Sequence, residues 1–242
     1  MRDTFLIVDG NSLMHRAFHA LPLMDYNGVY TNAVHGFLSM LLRCIRERAP
    51  RYCAVAFDEH APTFRHTEYA EYKAGRAPTP DELRPQFDVI KEILSAMGLG
   101  VLSLTGYEAD DILGTLSSQC AQRDIAALLL TGDRDALQLV SDDTTLLLTR
   151  KGISEIEECT PARVQELFGV RPDQITDLKG LMGDSSDNIP GIPGVGEKTA
   201  VKLLTSYDTL ENVLAHADEI KGKLGEKVRD NAEKGRFSKH LA

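Results

Sequence analysis

Phe5-Leu6-Ile7-Val8-Asp9 is a short apolar run that ends in a carboxylate. Two later stretches repeat the arrangement. Tyr52-Cys53-Ala54-Val55-Ala56-Phe57 ends in Asp58, and Ala126 to Leu130 runs through Thr131-Gly132 into Asp133 and Asp135. Short apolar runs bounded by polar residues read as buried strands. Gly100 to Leu104 and Thr145 to Leu148 extend the strand set. Helical patterns lie between them. Thr31 to Arg48 carries Val34, Phe37, Leu38, Leu41, Leu42 and Ile45 at helical spacing, Leu94 to Met97 closes another helix, and Glu108 to Cys120 puts Ala109, Ile112, Leu113 and Leu116 on one face. Strands alternating with helices predict an α/β fold with a mostly parallel sheet flanked by helices. In such sheets ligands bind at the carboxyl ends of the strands.

Three strand ends therefore aim carboxylates at one place. Glu108-Ala109-Asp110-Asp111 opens a helix, and Gly183-Asp184-Ser185-Ser186-Asp187 opens a Gly/Pro-rich stretch, so two further loops add acid. That much like charge in one cleft is unfavourable unless cations fill it. Carboxylate oxygens favour Mg²⁺ or Mn²⁺. Each group also has a plainer use. Glu108, Asp110 and Asp111 suit a helix N-terminus. Asp133 and Asp135 suit a cap after a strand, and Asp184 and Asp187 suit Asx-turns. The metal reading explains all five clusters together.

At 242 residues the chain has room for one large domain or two small ones. The net charge of −9 argues against a histone-like, purely electrostatic nucleic-acid binder. It leaves a nuclease open, because bound metal would offset part of the acid. Cys44, Cys53, Cys120 and Cys159 have no C-x-x-C spacing, so a zinc or redox motif is not indicated, and Cys53 and Cys120 read as buried thiols. The N-terminal apolar run is too short for a signal peptide, and no span approaches membrane length. The cytoplasm is the expected compartment.

His60 to Pro85 breaks the α/β rhythm. It is long, polar and basic, with Arg65, His66, Tyr69, Tyr72, Lys73 and Arg76. Loops of this length in a compact domain are usually functional or mobile. Arg65, Lys73 and Arg76 suit phosphates and Tyr72 suits a stacked base, against the alternative of a solvated loop. Arg16, seven residues past Asp9, is placed to reach a phosphate, a weak signal alone. From Pro161 the chain turns helical, with Ala162–Phe168, Gln174–Met182, Glu197–Ser206 and Leu210–Ala215 as short helices. Gly191-Ile192-Pro193-Gly194-Val195-Gly196-Glu197-Lys198-Thr199 fails the P-loop pattern, because Glu197 stands where Gly should precede Lys198. It also fails G-x-G-x-x-G and follows a helix rather than a strand. What remains is a helix–hairpin–helix turn. In it Gly191, Gly194, Gly196, Lys198 and Thr199 bring amides and a cation to a DNA phosphate, the alternative being an ordinary N-cap loop.

These motifs, in this order, resemble the 5′-nuclease (5′-3′ exonuclease) domain of bacterial DNA polymerase I, within the flap endonuclease superfamily. The matching stretches are Leu6–Ser12, Ala56–Asp58, Tyr72-Lys73 with Arg76, Glu108–Asp111, Thr131–Asp135 and Gly183–Gly191. The resemblance covers essentially the whole chain. It implies a PIN-like α/β core over about 1–160, with a helical arch at about 60–85, and a helical subdomain over 161–242. A helix–three-turn–helix element at about 184–206 would bind DNA and hold K⁺. By the same resemblance Asp9, Asp58, Glu108, Asp110, Asp111, Asp133, Asp135, Asp184 and Asp187 occupy the metal-holding positions for two Mg²⁺ or Mn²⁺ ions. Asp9 and Asp111 join Lys73 and Arg76 as catalytic residues. Arg16 takes the basic position after the first Asp. The implied activity is a structure-specific 5′-nuclease acting on DNA with a 5′ flap, nick or free 5′ end and on RNA/DNA primer strands. The chain would be a monomer, off the membrane, and either joined covalently to polymerase domains or a short stand-alone relative. The rival readings are a PIN-like ribonuclease and a non-catalytic DNA-binding module; the first is typically shorter, and the second would be expected to lose acids that are all present here.

Overall fold

The computed structural model describes residues 2–242. The first part of the chain runs β1 (Thr4–Asp9), α1 (Gly10–Ala20), β2 (Asp25–Tyr26), β3 (Val29–Tyr30), α2 (Asn32–Arg48) and β4 (Tyr52–Ala56). There follow α3 (Phe64–Glu68), α4 (Arg84–Ala96), β5 (Gly100–Leu102), α5 (Ala109–Gln122), β6 (Ala126–Thr131), β7 (Thr144–Thr149) and β8 (Ile156–Cys159). The remainder is helical: α6 (Pro161–Phe168), α7 (Ile175–Met182), α8 (Glu197–Tyr207), α9 (Leu210–Ala215), α10 (Lys223–Asp230) and α11 (Ala232–Leu241).

Two compact units emerge, one of residues 2–63 with 78–160 and one of 64–77 with 161–242. The segment expected as an arch does not stay with the first unit: Phe64–Ala77 packs with the second. Buried Tyr72 explains this, clustering with Ile189 and Leu241 while Tyr69 packs on Phe237. Only α3 is helical there, and most of the rest is turn.

The first unit is built on one six-stranded sheet of order β5-β4-β1-β6-β7-β8. All pairs are parallel except β8, which runs antiparallel to β7. Val8 faces Val55 on one side and Leu130 on the other, so β1, β4 and β6 end side by side. The inner residues of these runs, Leu6 to Val8, Ala54 to Ala56 and Leu129-Leu130, are buried, as a central parallel sheet requires. Phe37 and Leu41 of α2 and Leu94 of α4 are fully buried against them. Each such side chain contributes about 1.5–3 kcal/mol. α1 starts at Gly10 without a break from β1, because only glycine fits there: a Cβ would lie 2.4 Å from the Phe57 ring.

In the second unit α7 is the central element, packed by α8, α9 and α11. Buried Asp177 on α7 accepts from the Leu210 amide at 2.9 Å and pairs with Lys239 Nζ at 2.6 Å. Gly180 lets α11 approach closely, since a Cβ there would meet Lys239 Cβ at 2.9 Å.

Candidate functional site

The sheet register dictates the first unit's acidic centre. Asp9 closes β1 opposite Ala56 of β4; Asp58 lies two residues past Ala56, and Asp133 two past Thr131 at the end of β6. Adjacent strands are about 4.8 Å apart, so these carboxylates share one short rim. Asp9 is buried at 4% exposure. Its Oδ1 accepts from the Ser12 amide at 3.0 Å and its Oδ2 from the Thr131 hydroxyl at 2.7 Å. Burial pushes its carboxyl up to about 7; those two hydrogen bonds pull down, and the charges of Asp58 and Asp133 push up again.

Each neighbouring acid is pinned by a backbone amide. Asp58 Oδ1 accepts from Ala109 N at 2.7 Å, which ties β4's end to the start of α5. Asp111 Oδ2 accepts from the Glu108 amide at 2.9 Å, so the plain helix-start use of these acids is realised too. Asp133 Oδ1 accepts from Asp135 N at 2.9 Å. Glu108 is buried, and Asp110 and Asp135 are half-buried on the same loops. A carboxylate offers about four lone-pair sites, so an amide aims it without saturating it.

That donor set fits a hard divalent cation. All the groups are carboxylate oxygens, and burying Asp9 beside two more acids is costly unless positive charge arrives. Among the described residues no three acids already enclose a point at direct-ligand distance. The fit is to a hydrated ion, since Mg²⁺ keeps several waters and takes one or two carboxylates. Arg16, on α1, donates from Nη2 to Thr149 O at 3.3 Å, beside Gly132. It braces the ends of β6 and β7, a role the spacing from Asp9 did not reveal.

The second unit holds the other predicted residues. Asp184 Oδ2 pairs with Lys179 Nζ at 2.7 Å, and Oδ1 accepts from the Ser186 amide and hydroxyl. Burial alone would raise its carboxyl, but the Lys179 and Ser186 hydrogen bonds bring it down to about 2. Asp187 is 4% exposed and meets the segment expected as the arch. Its oxygens receive Arg76 Nη2 and the Tyr72 hydroxyl, the latter at 3.2 Å, with Lys73 Nζ 3.8 Å away. No sequence signal announces this pairing, because 72–76 and 187 share no pattern. Lys73 adopts a left-handed backbone with φ +56°, a conformation that costs a non-glycine residue roughly 1–3 kcal/mol. Arg65 Nε donates to Leu241 O at 2.9 Å.

The glycine turn between α7 and α8 divides by orientation. Gly191 is buried at φ +61°, and its amide donates to Ser238 Oγ at 2.9 Å. A Cβ there would lie 2.2 Å from Gly183 N. Gly191 therefore belongs to the packing of the turn and not to a phosphate-facing surface, a correction to the sequence reading. Gly194, Gly196 and Lys198 are exposed, and Thr199 is half-buried. No side chain caps the N-terminus of α8, and nothing lies within 4 Å of a Cβ at Gly196.

The profile of the 5′-3′ exonuclease N-terminal resolvase-like domain matches residues 4–169, and that of the 5′-3′ exonuclease C-terminal SAM fold matches 170–242. The chain belongs to the 5′-3′ exonuclease family. The chain is 50% identical over 244 residues to DNA polymerase I of Bacillus caldotenax, a match that covers 100% of the chain and 28% of that protein. It is 49% identical over 233 residues to DNA polymerase I of Mycobacterium tuberculosis (strain ATCC 25618 / H37Rv), covering 95% of the chain and 26% of that protein. The chain thus spans about a quarter of the length of these curated relatives. Its fold is similar to that of T5 5′-exonuclease with bound divalent zinc, with TM-score 0.80 at 22% identity, covering 98% of this chain and 88% of that one. The flap endonuclease of bacteriophage T5, in a pseudo-enzyme-product complex with DNA and metal ions, matches at TM-score 0.79 and 21% identity, covering 98% and 88%. The mostly parallel sheet with a helical second unit is the fold expected from the sequence.

Proposed function

We propose that this protein hydrolyses DNA phosphodiester bonds at 5′ flaps, nicks and free 5′ ends using two divalent ions, Mg²⁺ or Mn²⁺. The observation that carries the reading is Asp9: a buried carboxylate held near neutrality beside Asp58 and Asp133, at the ends of adjacent strands. Asp9, Asp58, Glu108, Asp110 and Asp111 would hold one ion directly or through water. Asp133 and Asp135 would hold the other, and the motif resemblance adds Asp184. Divalent metal, when bound, supplies Lewis acidity toward water and the phosphate oxygens.

The protein's own part is positioning and charge. The fixed amides at Ala109, Ser12 and Asp135 keep the carboxylates aimed. Lys73 and Arg76 bind the phosphate being cut and stabilise its charge. The turn through Gly194, Gly196, Lys198 and Thr199 grips duplex phosphate without reading bases, with K⁺ as its structural ion. No side chain acts as nucleophile. Similarity to polymerases about four times longer supports a native chain that continues into polymerase domains and works in the cytoplasm on Okazaki primers and repair intermediates. The T5 complex with DNA and metal ions lends support to the substrate class.

The deciding experiment compares a 5′-flap DNA with single-stranded RNA, with and without Mg²⁺. Metal-dependent flap cleavage is expected. Preferential RNA cleavage would favour a PIN-like ribonuclease, and binding without cleavage a non-catalytic module.

A further inference from the structure

Asp187 gathers one short segment around itself. Its carboxylate meets Arg76 Nη2, the Tyr72 hydroxyl at 3.2 Å and Lys73 Nζ at 3.8 Å. The backbones join as well: Lys73 N–H donates to Asp187 O at 3.0 Å, and Asn188 Nδ2 donates to Glu71 O at 2.9 Å. Lys73 and Asn188 both hold left-handed backbones, at φ +56° and +59°. Such backbones cost energy at non-glycine residues, and these contacts offset it.

A guanidinium, an ammonium and a hydroxyl around one anion form the set that would also receive phosphate oxygens. We propose that Asp187 is the positioning counter-anion of this segment. It holds Lys73 and Arg76 in order as a surrogate for phosphate and gives them up when a DNA phosphate takes its place. This rests on the reading that Lys73 and Arg76 bind the scissile phosphate. It gives Asp187 a task other than metal binding.

Exposure sets the direction of the exchange. The Asp187 side chain is 6% exposed and Lys73 18%, while Arg76 is 47% exposed. Arg76 is therefore the first group an incoming phosphate can reach. Lys73 follows only when the segment loosens, because its amide is also tied to Asp187. DNA thus competes with an internal anion, and the cations are withheld from weak, non-specific phosphate contacts.

The test is amide hydrogen exchange across 64–77 in chelator, with and without a 5′-phosphorylated flap duplex. Asp187→Asn should speed exchange in the DNA-free protein by about tenfold or more, the scale of one lost charge-assisted contact. Arg76→Ala alters an exposed side chain and tests the same contact from the other side, so it should also speed exchange even if Asp187→Asn folds poorly. Glu226→Gln removes an equal charge from exposed α10 and should leave 64–77 unchanged. DNA should restore slow exchange in Asp187→Asn, because phosphate then fills the anion's place. Wild-type exchange in both Asp187→Asn and Arg76→Ala, or equal acceleration in Glu226→Gln, overturns the proposal. A failure of the underlying reading looks different: exchange in Asp187→Asn is fast and DNA does not slow it, so Asp187 orders the segment but Lys73 and Arg76 do not take DNA phosphate.

Discussion

Thr131 donates its hydroxyl to Asp9 Oδ2 at 2.7 Å, from the last residue of one strand to the last residue of its parallel neighbour. With the Ser12 amide on Oδ1, this bond only partly offsets the burial that lifts the Asp9 carboxyl to about 7. Its ordinary value is 3.8, so in this pH window the folded chain binds a proton that the unfolded chain does not. Asp9 therefore contributes stability below about pH 4, and the contribution is lost as pH rises through 7. Metal-free protein should melt at lower temperature at pH 8 than at pH 5.5. Mg²⁺ should raise the melting temperature more at pH 8, where it need not displace a proton. Asp9→Asn should flatten both trends. Equal Mg²⁺ increments at the two pH values in thermal melts would contradict the assignment.

Cleavage should depend strictly on divalent metal. Asp9→Asn and Asp111→Asn keep shape but remove charge, and each should lower turnover by orders of magnitude while flap binding persists. Single-turnover kinetics with a parallel binding measurement separates the two effects. Full cleavage in excess chelator would sink the proposal.

The glycine turn should split into two phenotypes. Gly191→Ala forces a Cβ against the Gly183 backbone at positive φ and should destabilise the second unit severely. Gly196→Ala meets open space and should melt near wild type, yet weaken duplex binding if the α8 terminus contacts phosphate. Calorimetry and binding isotherms on both variants check the pair. Equal melting temperatures for the two would refute the division.

Lys198→Ala should weaken duplex affinity uniformly across sequences and make the logarithmic salt slope shallower by about one unit or less. Saturable ATP binding abolished by the same substitution would instead revive a nucleotide-binding loop.

Lys179→Met should be among the more damaging single changes outside the acidic rim. Lys179 and Asp184 side chains are 10% and 15% exposed, and removing one partner of a buried pair costs about 3–5 kcal/mol. Asp184 stays charged down to about pH 2 with its partners present, so the pair's contribution holds above about pH 4 and fades as pH falls toward 2. Urea melts at pH 7 and pH 3 should show the Lys179→Met penalty shrinking at the lower pH.

The sheet and its acidic ends are readable in the sequence because β1, β4 and β6 are apolar runs that no solvent-facing strand would tolerate. β8 was missed: Ile156-Glu157-Glu158-Cys159 sits at a sheet edge, where one buried Cys159 is all the packing demands. α1 follows β1 with no intervening loop, and its N-cap is Asp9, the same carboxylate that ends the strand. α10 and α11 are mostly polar, with too few apolar residues to mark a helical face clearly. β5 stops at Leu102, two residues short of the expected end, and Cys53 is half-buried rather than buried. The identity of the acids was plain, but their hydrogen-bond partners were not. Thr131 and Asp9 are 122 residues apart in the chain, a pairing that only the sheet register creates.

The excursion of Phe64–Ala77 into the second unit means that the polypeptide passes between the units three times, at 63–64, 77–78 and 160–161. The helical unit is therefore not a cassette. A fragment beginning at Pro161 would leave Ile189 and Leu241 without Tyr72 to cover them. A fragment ending at Thr160 would carry Phe64–Ala77 as an orphan. Evolution and the protein engineer face the same constraint: neither half can be swapped for a relative's unless that stretch travels with its helices, and one proteolytic nick should leave both halves still tethered.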